Sequence, residues 1–187
     1  MIGYAFCGSF CTFSRSYAAL CEIIKRGYEV QPLMSTNAYS TDTRFGTAKD
    51  WVEKIETLCG RKIIHSIVDA EPLGPAKPLE ALIISPCTGN TLAKLACGIT
   101  DTAVCMAAKA HLRCDGRLLI ALASNDAMSQ NLKNIAALLT RKSVYMVPMR
   151  QDDPIGKPHS LVADLSRLSE AYGAMMRGEQ VRPLFLT

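Results

Sequence analysis

Short apolar runs alternate along the whole chain with stretches in which apolar residues recur every three or four positions. Ile2 to Cys7, Tyr28 to Met34, Ala81 to Ile84, Leu118 to Ala123 and Val144 to Val147 read as strands, and Ile63-Ile64 with Ile67-Val68 as a further short one. In the runs at Ala81 and Leu118 every successive residue is apolar, the pattern of strands covered on both faces. Phe13, Tyr17, Leu20 and Ile24 predict a first helix, which Gly27 ends. Phe45, Ala48, Val52, Ile55 and Cys59 predict a second, capped by Asp42 or Thr43 and stopped by Gly60. Leu92, Leu95 and Ala96 mark a third, and Val104, Ala108, His111 and Leu112 a fourth behind Asp101 as cap. Met128, Leu132, Ile135 and Leu138 or Leu139 mark a fifth, and a last helix is predicted from about Leu161 to Met176.

Strand and helix alternate without internal repeat, which predicts an α/β fold: a three-layer, doubly wound parallel sheet of Rossmann-like or flavodoxin-like layout. Pro32 removes a ladder donor from the second strand and assigns it an edge position or a bulge. The Pro/Gly-rich connection at 71–78 reads as a loop and not a domain linker, so residues 1–187 are expected to form one domain. A chain of this length can bury roughly 70% of its unfolded surface.

Composition narrows the functional classes. Nearly half the residues are hydrophobic, 49%, but no run approaches the roughly 18 residues of a membrane span. Met1 leads straight into strand-like sequence without a basic region or cleavage site, so a cytoplasmic location is expected. The eight cysteines include no Cys-x-x-Cys pair and no flanking histidine, and are read as reduced, with no metal site. The formal charge of +4 comes from dispersed residues, which argues against nucleic acid and suits small anions.

Candidate chemistry gathers at strand ends. Gly8-Ser9 follows the first strand, Ser35-Thr36-Asn37 the second, Ser85-Pro86-Cys87-Thr88-Gly89-Asn90-Thr91 the central one, and Ser124-Asn125-Asp126 the next. In an open α/β sheet these loops share the edge where ligands bind. The first N–H groups of a helix lack chain partners, and hydroxyls and amides beside them suit an anion or a polar heterocycle. The same residue types also cap helices, so the binding and the capping readings both stand at this point. No Gly-x-Gly-x-x-Gly and no nucleotide-triphosphate phosphate loop is present.

The segment Pro86-Cys87-Thr88-Gly89-Asn90-Thr91 resembles the Pro-Ala-Ser-Ala-Asn-Thr motif of the flavin-containing cysteine-decarboxylase-type flavoproteins, with Pro, Asn and Thr in register. Leu92-Ala93-Lys94 and the run to Gly98 and Asp101 continue the likeness. Within that superfamily the chain is similar to the B subunits of dipicolinate synthases, through Gly3 to Thr12, the central loop, Gln151-Asp152-Asp153-Pro154 and Lys157 to Asp164. The resemblance implies FMN as cofactor, held by Gly8, Ser9, Ser35, Thr36, Ser85, Pro86, Thr88, Gly89, Asn90, Thr91, Ser124 and Asn125. Two departures disfavour peptide decarboxylation. The connection Leu73-Gly74-Pro75-Ala76 lacks the histidine that family decarboxylases carry there. Of their Pro-x-Met-Asn-x-x-Met-Trp motif only Asn125 and Met128 remain, with Leu122, Ser124 and Ser129 at the other positions.

Of three histidines, His65 and His111 read as structural or solvated. His159 lies with Arg150 and Lys157 in a long loop, and these three are the candidate catalytic residues, a cationic lining for a small dicarboxylate, with a solvated surface turn as the alternative. The resemblance implies one component of an enzyme that oxidises a dihydrodipicolinate-type precursor to dipicolinate during sporulation. It further implies a homo-oligomer and a partner, the A subunit of dipicolinate synthase, through which NAD(P) would act. A stand-alone FMN-dependent decarboxylase or flavin-modifying enzyme, and a non-catalytic scaffold with a vestigial flavin site, remain as alternatives.

Overall fold

The structure, a computed structural model, describes residues 1–76 and 78–187; Lys77, within the Pro/Gly-rich connection, lies outside the described residues. Among the described residues seven strands form one sheet: β1 (Ile2–Phe6), β2 (Val30–Met34), β3 (Ala81–Cys87), β4 (Arg117–Ser124), β5 (Val144–Met146), β6 (Met149–Arg150) and β7 (Leu161–Ala163). The helices are α1 (Phe13–Lys25), α2 (Thr36–Ser40), α3 (Ala48–Cys59), α4 (Ile67–Ala70), α5 (Gly89–Cys97), α6 (Ala103–Leu112), α7 (Leu132–Leu139) and α8 (Leu168–Met176). The order β2-β1-β3-β4 is parallel throughout, as a doubly wound α/β sheet requires.

Period-two alternation sorts the strand residues into two cores. Ile2, Tyr4, Phe6, Ile83 and Leu119 pack on one face with residues of α1, α3 and α8. Ala5, Leu82, Ile84, Ile120 and Leu122 pack on the other with residues of α5, α6 and α7. Both faces of β1 and β3 are fully covered, which is why Ile2 to Phe6 and Ala81 to Ile84 carry no charged or strongly polar side chain. β2 stands at the edge of the named strands, as Pro32 requires; beyond it there is one isolated bridge, Leu33 to Ile64.

Four expectations need correction. The sheet is mixed, because β4 takes two partners along one side: Leu118 to Ile120 pair in parallel with β5, and Ala123 and Ser124 pair antiparallel with Val162 and Leu161. Leu161 to Ala163 are therefore strand, buried in alternation, and α8 begins only at Leu168. Ile67 and Val68 are exposed and form a turn of helix capped by Ser66, where the sequence pattern predicted strand. Thr47 and Thr102 cap α3 and α6, each hydroxyl accepting from the N–H three residues on. Asp42 instead accepts from the Ala48 N–H at 2.8 Å, and Asp101 takes the Lys94 ammonium at 2.8 Å. Gly60 and Gly98 end α3 and α5 in the left-handed region, at φ 62° and 72°.

Candidate functional site

At the carboxyl ends of β1, β3 and β4 a cavity of about 770 Å³ opens, a size typical of small-molecule and cofactor sites. The loop after β1 lines it with Gly8, Ser9, Phe10, Cys11 and Thr12, and the first turn of α1 adds Arg15. Thr88, Gly89 and Asn90 come from the start of α5, and Ala123 to Asp126 from the end of β4. Arg44 and Phe45 arrive from the loop before α3, while Asp152, Lys157, Ser160 and Val162 come from the β6–β7 segment. Parallel strands bring the first groups to one edge; the antiparallel pairing of β7 with β4 brings the last.

Local chemistry shapes each wall. Thr88 caps α5, its hydroxyl accepting from the Thr91 N–H at 3.1 Å and lying 3.0 Å from the Thr91 hydroxyl. The Leu92 N–H is also satisfied, by the Thr88 carbonyl at 2.9 Å. The N–H groups of Gly89 and Asn90 are left at the helix start, where the dipole favours negative charge. Ser85 and Pro86 join through a cis peptide bond, and the Pro86 carbonyl accepts from the Cys7 N–H at 3.0 Å, which ties the β1 and β3 loops together.

On the β4 side the Ser124 hydroxyl donates to Asp126, and the Asn131 amide donates to both carboxylate oxygens at 2.9 and 3.0 Å. Asn134 donates in turn to Asn131 at 2.8 Å. These hydrogen bonds, that from Ser124 foremost, hold the Asp126 carboxyl below its ordinary range. Gly89 lies against this cluster so closely that a Cβ there would come within 2.5 Å of Ser124 Oγ and 2.6 Å of Asn131 Nδ2.

The expected flavin-contacting residues divide. Gly8, Ser9, Thr88, Gly89, Asn90, Ser124 and Asn125 line the cavity together. Ser35, Thr36, Ser85, Pro86 and Thr91 do not line it: Ser35 caps α2, Ser85 is fully buried beside Ser16 with its hydroxyl at 3.1 Å, and Thr91 is occupied by Thr88. Of the cationic set, Lys157 lines the cavity while paired with Asp152 at 2.9 Å, which raises its pKa. Arg150 pairs with Asp164 and lines an adjoining cavity instead. His159 lines neither; its carbonyl accepts from the Met128 N–H at 2.9 Å. His65 stacks on Tyr39 at 3.8 Å. His111 is buried, its Nε2 3.0 Å from the Arg117 carbonyl oxygen, and burial lowers its pKa.

Arg15 and Arg44 escape a reading by sequence. Each stands among ordinary polar residues, and only the sheet order shows that both reach this cavity. The guanidinium of Arg44 sits 4.9 Å from the Phe45 ring centre. Together the lining offers backbone N–H groups, hydroxyls, amides and cations, with the Asp126 and Asp152 carboxylates held by Ser124, Asn131 and Lys157, an inventory that suits a phosphate group joined to a polar heterocycle.

The flavoprotein family model matches residues 2–176. The dipicolinate synthase B subunit of Bacillus subtilis strain 168 is 40% identical over 185 residues, which cover 99% of this chain and 92% of that protein. The crystal structure of the dipicolinate synthase B subunit from Bacillus halodurans superposes with a TM-score of 0.91 at 36% identity, over 100% of this chain and 95% of that one. An FMN-dependent cysteine decarboxylase shares the fold at a TM-score of 0.66 and 21% identity, over 95% of each chain. A chain so matched along its length, with a donor-lined cavity at the carboxyl edge of a doubly wound sheet, belongs to the flavoprotein family, among the dipicolinate synthase B subunits.

Proposed function

We propose that this chain is the flavin-binding component of a dipicolinate synthase and takes part in oxidising a dihydrodipicolinate-type precursor to pyridine-2,6-dicarboxylate. The observation that carries the proposal is the likeness to two B subunits over nearly the whole chain. The cavity supports the cofactor half. FMN needs phosphate donors, polar partners for its ring edge and little else from the protein, and the residues present fit it. Ser9, Thr88, Asn90, Ser124 and Asn125 would hold it, beside the first N–H groups of α5. When bound, FMN supplies two-electron redox chemistry. The chain's own groups bind and orient the reactants, and the Lys157 ammonium stays protonated beside Asp152.

Aromatisation of the dihydropyridine ring releases a hydride and a proton, so continued turnover needs an acceptor that is renewed. The turn Gly8-Ser9-Phe10-Cys11-Thr12-Phe13 lacks the glycines with which a dinucleotide fold approaches a pyrophosphate. NAD(P) therefore enters through a partner, the A subunit of the synthase, and this chain alone does not turn over repeatedly. The substrate dianion is assigned to the β6–β7 side, where Lys157 lines this cavity and Arg150 the adjoining one, each beside a carboxylate.

Two measurements test the proposal. Titration with FMN should give a flavin-loaded chain, and Asn90→Ala should weaken its uptake about tenfold; unchanged affinity would remove the central loop from the site. Dipicolinate formation from the aldolase-derived precursor with nicotinamide cofactor should require both subunits. Multiple turnovers by this chain alone would overturn the partner half of the proposal.

A further inference from the structure

A second cavity of about 730 Å³ adjoins the first, between α1 and the β6–β7 segment, and the two share Arg15, Asp152 and Val162. The carboxylates lining it are already paired: Glu22 with Lys25 at 2.8 Å, Asp152 with Lys157 at 2.9 Å, and Asp164 with Arg150. Arg15 has no ion pair and no hydrogen-bonding acceptor among the described residues. It is the third residue of α1, behind the 3-10 turn Phe10–Thr12 that runs into that helix, and its side chain is exposed. An arginine that lines two cavities with no partner among the described residues is available to an anionic ligand.

The turn that carries Arg15 is also fixed. The next residue, Ser16, is fully buried; its hydroxyl meets Ser85 Oγ at 3.1 Å, and its carbonyl accepts from the Tyr4 hydroxyl at 2.9 Å. These contacts tie α1 to β1 and to the end of β3, the strand that feeds the central loop. The fixed turn sets where the Arg15 side chain starts, and its guanidinium fork matches the two oxygens of a carboxylate.

We infer that Arg15 is the substrate anchor of this chain. It stands at the joint of the two cavities and receives one carboxylate of the small planar dicarboxylate, whose ring then lies between the flavin-type cavity and the compartment walled by Arg150. The inference rests on the proposed function for the identity of the dicarboxylate. It gives the anchoring role to a residue outside the loop that carries Arg150, Lys157 and His159, the three that the sequence pattern nominates. Arg150 faces the same compartment but shares its charge with Asp164.

The test is isothermal titration of dipicolinate into the chain, both FMN-supplemented and flavin-free, for the wild type, Arg15→Gln, Arg15→Lys and Arg26→Gln. Arg26 is exposed at the far end of α1, lines neither cavity, and changes net charge equally. Dipicolinate affinity should fall about tenfold or more in Arg15→Gln, a loss of about 1.4 kcal/mol or more. It should recover in part in Arg15→Lys and stay unchanged in Arg26→Gln, while FMN affinity, followed by flavin fluorescence, should change less than about threefold. Equal dipicolinate affinity in wild type and Arg15→Gln overturns the inference, as does the absence of dipicolinate binding by the wild type. A tenfold loss of FMN affinity in Arg15→Gln also overturns it, because the guanidinium would then belong to the flavin phosphate. If the wild type takes up no FMN, the flavin assignment fails by itself, and the flavin-free titration still decides the role of Arg15.

Discussion

Replacing Gly89 by alanine tests the packing beneath the site. The added Cβ would stand 2.5 Å from Ser124 Oγ, 2.6 Å from Asn131 Nδ2 and 2.9 Å from Asp126 Oδ1, and real Cβ atoms do not approach so near. None of the three can yield freely. Asp126 holds the other two by hydrogen bonds, Asn131 and Ser124 are only 5% and 8% exposed, and Asn134 braces Asn131 from behind. Overpacking of this kind costs about 1–3 kcal/mol, and loss of a hydrogen bond to the charged carboxylate about 1.5–3 kcal/mol. Alanine returns less than about 1 kcal/mol of helix propensity, since position 89 is the first of α5. The clash is relieved by one route or the other and not both, so destabilisation of about 1–3 kcal/mol is expected. For a chain of this length that corresponds to a fall in Tm of roughly 2–12 °C. Because relief would push the start of α5 away from β4, FMN affinity should fall with it, by about tenfold.

Gly60→Ala is the control. At φ 62° it is strained by about 1 kcal/mol, has open space around its Cβ, and lines neither cavity. It should lower Tm without changing FMN affinity. An unchanged Tm and an unchanged FMN titration in Gly89→Ala would refute the reasoning.

Ser16→Ala removes the hydroxyl that meets the fully buried Ser85 Oγ and should cost about 1–3 kcal/mol, read as a lower urea midpoint at constant m-value. Asp126 and Asp164 have folded pKa values below the ordinary carboxylate range, the former through Ser124 and Asn131, the latter through Ser166 and Arg150. Their contribution to stability is present above the unfolded carboxylate pKa of about 4 and is lost as pH falls through the folded values. Tm should therefore drop below about pH 4, and Asp126→Asn should flatten part of that drop; an identical profile in the variant would exclude Asp126. Gly116→Ala would place a Cβ 2.3 Å from the His111 ring and should lower Tm by several degrees, about 1–3 kcal/mol of strain, without affecting FMN uptake.

The features legible in the sequence are those decided within a few residues. The continuous apolar runs of β3 and β4, the three-and-four spacing of α1 and the stops at Gly27 and Gly60 each reflect hydrogen bonding and burial inside one element. So does the strand-loop-helix junction of the central loop, where Thr88 caps α5. Leu161 to Ala163 misled because three apolar-rich residues satisfy either period; the free edge of β4 beyond β5 made them strand. Tertiary structure alone decided which polar groups line the cavity. Ser85 and Thr91 look like binding residues by type, yet neighbours in the fold occupy them. Arg15 looks like a solvated helix residue and is exposed, yet the order β1-β3-β4 with the returning β7 sets it between two cavities, with no ion pair among the described residues. Capping and periodicity are local and repeat in any protein, whereas the lining of a cavity depends on which distant loops the sheet makes neighbours, and on which of their charges are already paired.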